Sequence, residues 1–505
     1  MSGVREWWQR PAMLWLAVLL SIVPLLWPQI PPLTDLPGHI GRYRVMLGTD
    51  ADVLGQWYRF EWRLVGNLGI DLIVYAIAPV IGLEPAVKLA IVATVALFAG
   101  GILWVSHEVH GQVTPFAWFA LPLAYAFPLQ FGFVNYWLAM ALALNAFALW
   151  LRLGRQGRIG LRAALFVPIA CIVWVAHLMG WAALCLMVFP AEVARQRATG
   201  RSWVEAVFRG GMGCLPLGLP LVLLIAWRSD SGSGATGRYF ERKPDWLITV
   251  LRDRWRSFDI ASGVLLIGLI AVGSRDRHVA RSWMLTAVAG LFALAYLLLP
   301  FVLLNSAYAD MRLAPFVLLF ALVAMRPGEA MPPRIGATFA LLALSFFLAR
   351  TAGSAVSYWQ YDRDWQRQLA ALNHMPRGAR MVSLVGEPCA MPWSRSRLIH
   401  LPAIALARRA AFANDQWRID GSALLTVTAR DVQPFANDPS QMVLPNGCHS
   451  IEKRQVDDAL AAIPRGAFDY LWLIDPPAHD PSLLAGMRPI WRDGTSVLYR
   501  IERGR

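Results

Sequence analysis

No glycine-rich phosphate loop, zinc-ligand spacing or Ser/His/Asp constellation stands out in this 505-residue sequence, so nucleotide hydrolysis and protease chemistry have no basis in it. No internal repeat is visible either, which removes the usual sign of a transporter built from paired halves. Cysteine is scarce. Of five, Cys171, Cys185 and Cys214 fall in or beside apolar runs as small fillers, and only Cys389 and Cys448 stand in the C-terminal part. Acids are the rarer charge, 33 against 47 Lys and Arg, for a formal net charge of +14. The excess sits mainly in residues 1–350, with 29 Lys/Arg and 18 Asp/Glu, and little of it in 351–505, with 18 and 15. No nucleic-acid-binding module accompanies it, so the charge reads as membrane topology and attraction to anionic lipid, and no nucleic-acid partner is expected.

What the chain does have is apolar length. Hydrophobic residues make up 57% of it, the mean hydropathy is +0.45, and apolar runs recur at lengths near that of a membrane span. The first, Pro11–Ile30, is about 30 Å long as a helix. Trp27-Pro28-Gln29-Ile30-Pro31-Pro32 closes it in place of a small-residue cleavage site, so it reads as a retained anchor. Further runs are Pro85–Ser106, Thr114–Gln130, Val134–Leu151, Leu161–His177, Gly180–Val193, Gly211–Trp227, Ile260–Val272, Trp283–Leu304, Leu313–Met325 and Gly336–Ala349, giving eleven spans. Asn67–Leu83 is too short in its unbroken apolar part to cross, and is expected to lie in the interface. That choice puts the short basic loops, Arg152–Arg162, Arg195–Arg209, Arg275–Arg281 and Arg326–Arg334, on the cytoplasmic side with the N-terminus. The tail from residue 351 is then periplasmic, in a bacterial inner (plasma) membrane.

In this orientation the unusual polar residues share the outer side. Asp35 leads them, in Thr34-Asp35-Leu36-Pro37-Gly38-His39-Ile40-Gly41-Arg42-Tyr43-Arg44. A carboxylate at the mouth of a helix bundle can take a proton from an incoming hydroxyl, and nearby arginines can hold an anionic lipid headgroup. His39 follows four residues later, on the same face if Asp35 opens a helix, and can position Asp35, contact an acceptor or merely cap. The candidates for binding substrate are Arg42, Tyr43, Asn135, His177, Arg238, Arg242, Tyr308, Asp310 and Arg312. Taken singly, each has a structural reading as well: Asn135 as a helix cap, His177 as a satisfied bundle histidine, Arg312 as a snorkelling side chain. The outer loop Arg228–Asp259, basic and glycine-containing, reads as one able to fold over a phosphate, and Asp245–Phe258 reads as a helix along the bilayer surface. Beyond residue 351, Arg380–Val385, Phe468–Ile474 and Ser496–Ile501 read as strands, the last after an Asp493-Gly494 turn, so a small α/β domain is expected over 351–505. In an oxidising periplasm Cys389 and Cys448 would pair.

With an acidic first outer loop, an interfacial helix before the second span, many spans and a periplasmic tail, the chain resembles the GT-C superfamily of polyprenyl-phosphate-sugar-dependent glycosyltransferases, such as the lipid A aminoarabinose transferases and protein O-mannosyltransferases. Thr34–His39 resembles that family's acidic stretch, and Tyr308-Ala309-Asp310-Met311-Arg312-Leu313-Ala314-Pro315 its late Arg-Tyr-x-x-Pro element. The resemblance covers roughly residues 1–350. It implies a GT-C-like helical membrane domain, with 31–84 as its periplasmic first loop, and a lipid-linked sugar donor with no nucleotide. It also implies an envelope glycan, lipid or protein acceptor, Asp35 as base or orienting group, and Arg312 with loop arginines on the departing phosphate. Leu36 follows Asp35 where many relatives carry a second acid, and no tyrosine follows Arg312, so a divalent metal and the class of acceptor stay open. Two other readings remain: a polymerase or ligase of lipid-linked oligosaccharides, and a non-enzymatic transporter or assembly factor.

Overall fold

The computed structural model describes residues 6–230, 243–303, 306–390, 392–418 and 423–502, with backbone only for 226–230. It is mostly helical with a C-terminal sheet. Among the described residues six helices are long and apolar enough to cross a membrane: Leu83–His110, Val134–Arg155, Ile159–Ala176, Leu178–Ala198, Arg256–Gly273 and the run from Pro333 to His374. A bent pair, Trp203–Leu217 with Leu219–Ile225 at 64°, makes a seventh if it is one span. Among the described residues four more apolar helices are shorter, Pro11–Leu25, Gly69–Ile81, Trp283–Leu298 and Met311–Val323, so the count of eleven is not reproduced.

The clearest departure is Thr114–Gln130. It breaks into Pro115–Ala120, a 3-10 stretch Leu121–Tyr125 and Phe127–Phe131, all buried within the protein. Pro122 and Pro128 lack the N–H that a continuous helix needs, and their rings crowd the preceding turn. Gly69–Ile81, by contrast, is short as expected. At 13 residues it rises about 20 Å, with Ile70, Asp71, Val74 and Ala78 turned inward and Leu72, Tyr75 and Val80 exposed.

The ends of the bundle differ chemically. At one end the basic loops gather: Arg155 pairs with Glu108 at 2.5 Å, and buried Arg162 with Glu192 at 2.7 Å. At the other, Asn135 reaches Asn67 and Asp71, and the tail closes over the first loop.

Among the described residues ten strands complete the fold: β1 Tyr58–Phe60, β2 Val279–Arg281, β3 Met325–Pro327, β4 Met381–Gly386, β5 Leu425–Val427, β6 Met442–Leu444, β7 Arg454–Gln455, β8 Tyr470–Ile474, β9 Met487–Asp493 and β10 Ser496–Ile501. Six form one sheet in the order β7-β6-β4-β8-β10-β9, with β4, β6, β7 and β8 parallel. Every residue of β8, and all of β4 but Gly386, is buried, which is why both read as continuous apolar runs. The β9–β10 hairpin turns at Gly494 with φ +58°, a left-handed geometry that glycine adopts at little cost.

The tail is not a separate appendage. The Pro333–Leu369 helix passes through residue 350 without a break. In addition, β1 of the first loop pairs with β5 of the tail, Tyr58 opposite Val427, which puts the first loop and the tail on one side of the bundle. The Leu36–Met46 helix meets Leu401–Arg409 and Trp417 closely: a Cβ on Gly41 would lie 3.0 Å from Ala403 O, and one on Gly38 2.5 Å from the Trp417 ring.

Candidate functional site

Asp35 lies where the chain leaves the first apolar helix. Its backbone N–H donates to Phe131 O at 2.9 Å, and Thr34 N–H donates to Gln130 O at 3.2 Å, so the turn is threaded against Gln130–Gly132. Gly132 has φ +107°, and a Cβ there would stand 2.8 Å from Asp35 N; only glycine permits this approach.

The tail supplies the other half of the centre. His400 Nε2 is 3.9 Å from Asp35 Oδ1 and 3.9 Å from Asp438 Oδ1, while Nδ1 is 3.1 Å from the backbone O of Asp415. A carbonyl oxygen only accepts, so Nδ1 carries a hydrogen, and Nε2 faces the two carboxylates. The Trp417 ring sits between the histidines, 4.9 Å from His39 and 4.5 Å from His400. Two cations act on the same space: Arg395, stacked 4.6 Å over Phe131, and Arg312, stacked 4.1 Å over Phe133.

The electrostatics follow from burial. Desolvation pushes Asp35 up to about 6, against the pull of His400, Arg395 and Arg312, while Asp438 adds to the rise. Asp415 rises to about 7, again mainly by burial, with His400 opposing. Burial, and next Arg42, hold His39 well below the ordinary imidazole value, so it is neutral. A carboxylate near 6 is ionised at neutral pH and more basic than an exposed one, as a general base requires.

The segment bearing Arg395 and His400 is strapped down by its neighbour. Buried Arg397 pairs with Asp253 at 2.5 Å, donates to Gln130 Oε1 at 3.0 Å and to Pro32 O, and lies 4.0 Å over Tyr361. Ser357 donates to Asp253 at 2.9 Å. Arg252 donates to Trp393 O at 2.8 Å and Pro392 O at 2.7 Å, and Trp393 Nε1 donates to Asp259, itself paired with Arg350 at 2.8 Å. This network corrects the expected bilayer-surface helix over Asp245–Phe258. Helix covers Lys243–Ile248 and begins again at Arg256, residues 249–255 are turns and irregular backbone, and Trp246, Val250, Leu251 and Asp253 are buried, because the stretch serves as the seat of the tail strap.

The other sequence-derived candidates divide. Asp35 and His39 each lie within the field of His400, and Arg312 acts on Asp35 in the same way. Arg312 donates to Ser306 at 3.0 Å, and Tyr136 donates to the Arg312 carbonyl at 2.5 Å; His177 caps its helix by accepting from Met179 N–H and lies 5.5 Å from Tyr136. Arg42 and Asn135 lie in a lock around buried Asp71: Arg42 pairs with it at 2.7 Å, and Asn135 donates to it at 2.8 Å while accepting from Ile70 N–H at 2.6 Å. Tyr43 is buried beside Arg42, at 5.1 Å. Asp310 is paired with Lys243 at 3.2 Å and caps Met311, and Tyr308, at φ +61°, packs on Phe131 and Phe301. Arg238 and Arg242 lie outside the described residues. Cys389 and Cys448 are joined, with Cα atoms 5.6 Å apart.

Sequence reading missed His400, Arg395, Trp417, Asp415 and Asp438. Their one local signal is Asn414-Asp415-Gln416, a polar triplet that follows the apolar run Ala410–Ala413. Among the described residues no three His, Cys, Asp or Glu side chains are grouped to hold a metal ion.

The fold and site define a multi-pass helical membrane protein whose C-terminal sheet region closes over an acidic centre at one end of the bundle. No family model matches the chain, and no curated protein matches it in sequence. Among solved structures it is similar to the arabinofuranosyltransferase AftD from Mycobacteria, at 15% identity and a TM-score of 0.46 over 98% of this chain. It spans 40% of the length of AftD. It is also similar to ArnT from Cupriavidus metallidurans in the apo state, at 12% identity and a TM-score of 0.47, covering 97% of this chain and 98% of that one.

Proposed function

We propose that the chain is a membrane glycosyltransferase that moves a sugar from a polyprenyl-phosphate donor to an envelope lipid, glycan or protein on the periplasmic side of a bacterial inner membrane. The observation that carries this reading is Asp35, a desolvated carboxylate with a pKa near 6 at one end of an apolar bundle, facing His400 and within the field of Arg312 and Arg395. The N-terminus and basic loops are then cytoplasmic, and the first loop and tail share the opposite side, in keeping with the β1–β5 pairing.

In this mechanism Asp35 takes the proton of the acceptor hydroxyl as its oxygen bonds to the anomeric carbon of the donor sugar. The bond from that carbon to the phosphate oxygen breaks, and the electron pair leaves with the lipid phosphate. Arg312 and Arg395 face the charge that develops there; losing one such group costs on the order of 3 kcal/mol, about a hundredfold in rate. His400, with Nε2 3.9 Å from Asp35 Oδ1, stands beside the carboxylate that receives the hydroxyl proton.

The test is mass spectrometry of envelope lipids and glycans from cells lacking the protein, rescued by wild type or by Asp35→Asn at matched abundance. A modification that vanishes and returns only with wild type supports the reading, and its mass identifies the sugar. Full rescue by Asp35→Asn removes Asp35 from the chemistry, and an unchanged envelope in the deletion strain removes the transferase.

A further inference from the structure

The tail contains a second cavity that the mechanism above leaves unused. It is a cleft of about 460 Å³ between residues 434–442 and 448–458, within the size range of small-ligand sites. Its walls are held in place: Cys448 is joined to Cys389, Lys453 pairs with Glu387 at 2.5 Å, and Gln455 accepts from Gly447 N–H at 2.9 Å. The lining is largely polar, with Asn437, Asp438, Ser440, Arg454, Gln455 and Asp458 facing it.

Asp438 belongs to both places. It lines the cleft, and its Oδ1 is 3.9 Å from the His400 nitrogen that also faces Asp35. A ligand seated in the cleft therefore reaches the acidic centre past one side chain.

We infer that this cleft is the acceptor subsite and that the acceptor is an uncharged, polyhydroxylated glycan, an inference that rests on the transferase reading. Charge selects the class. The acids Asp438, Glu452 and Asp458 slightly outnumber Lys453 and Arg454, and Lys453 is already neutralised by Glu387, so the cleft holds no excess of cations for a phosphorylated ligand. Arg454, stacked 5.2 Å over Phe435, and Asp458 have no ion-pair partner among the described residues, which leaves a forked donor and a carboxylate for hydroxyl groups. Ile451 stands fully exposed among the lining residues, an apolar surface suited to the C–H face of a sugar ring. An extended peptide is disfavoured because the sheet edge here, β7, is two residues long and offers too little ladder for strand addition.

The experiment is saturation-transfer NMR on the full-length protein in lipid nanodiscs, using glycans released from envelopes of cells that lack the protein. Wild type and Asp35→Asn are both expected to transfer saturation to ring protons of the same glycan. The Arg454→Gln/Asp458→Asn double variant is expected to weaken that binding at least tenfold. If the double variant fails to fold, Asp458→Asn alone, on an exposed side chain, is expected to weaken it severalfold. The inference is overturned if no released glycan receives saturation from wild type, if the cleft variants bind as wild type does, or if binding is found only with envelope peptides or phospholipids. An unchanged envelope in the deletion strain refutes the transferase independently of any glycan binding.

Discussion

Asp35→Asn should abolish transfer and at the same time make the protein more stable at neutral pH. Burial raises the Asp35 pKa from an ordinary value of 3.8 to about 6, so holding it ionised in the folded state costs about 3 kcal/mol relative to the unfolded chain. Asparagine keeps the shape and carries no charge to desolvate. The sign follows from the direction of the shift. A carboxyl with a raised folded-state pKa binds its proton more tightly when folded, so wild-type stability falls as pH climbs from 3.8 to about 6 and is level above. The variant does not share that fall. Its advantage should be about 3 kcal/mol at pH 7.5 and about 1 kcal/mol at pH 4.5.

The assay is thermal unfolding in nanodiscs at both pH values. At roughly 2 °C per kcal/mol, the variant should melt on the order of 5 °C higher at pH 7.5, with most of the difference gone at pH 4.5. A variant less stable than wild type at pH 7.5, or a difference that ignores pH, would show that Asp35 is held by favourable contacts and would refute the reasoning. Stability sacrificed at one residue for the sake of its charge is what a catalytic carboxylate requires and what a structural one does not.

Arg397→Met should destabilise the protein by about 3–5 kcal/mol, because it strands Asp253 as a buried charge with Ser357 as its remaining side-chain donor, and adding Asp253→Asn should restore most of the loss. Protease sensitivity of the tail and unfolding midpoints read this out; equal stability of wild type and the single variant would dismiss the strap. His400→Gln should slow transfer tenfold or more and move the rising limb of the pH–rate profile above about 6, since the imidazole no longer draws the Asp35 pKa down. An unmoved profile with normal abundance would leave His400 a packing residue.

What the sequence made legible was whatever depends on local pattern. The strands β4, β8 and β10 announce themselves by run length and hydrophobicity, within a residue or two of their observed ends, and most apolar runs mark a helix while missing its ends by several residues. Thr114–Gln130 misled because its composition matches a span while Pro122 and Pro128 forbid one, so the helix breaks and packs inside the protein. Arg42 and Asn135 look substrate-binding in sequence because their partner, Asp71, lies outside their sequence neighbourhood, and a satisfied buried network reads there like a set of free ligands.

The tail half of the site was illegible for a deeper reason. Arg395, His400, Trp417 and Asp438 stand on connecting segments with no shared period, and contacts distant in sequence, such as the strap at Arg397 and the β1–β5 pairing, bring them to Asp35. The centre is therefore divided among three distant stretches of chain: the first loop contributes the carboxylate, the tail the imidazole and one of the two cations, and the Met311–Leu313 turn the other cation, Arg312. No one stretch holds all that a proton transfer coupled to phosphate departure needs. A chain truncated before β4 would keep Asp35 and the bundle while losing His400 and Arg395, so the folding of the tail onto the first loop assembles the site as well as covering it.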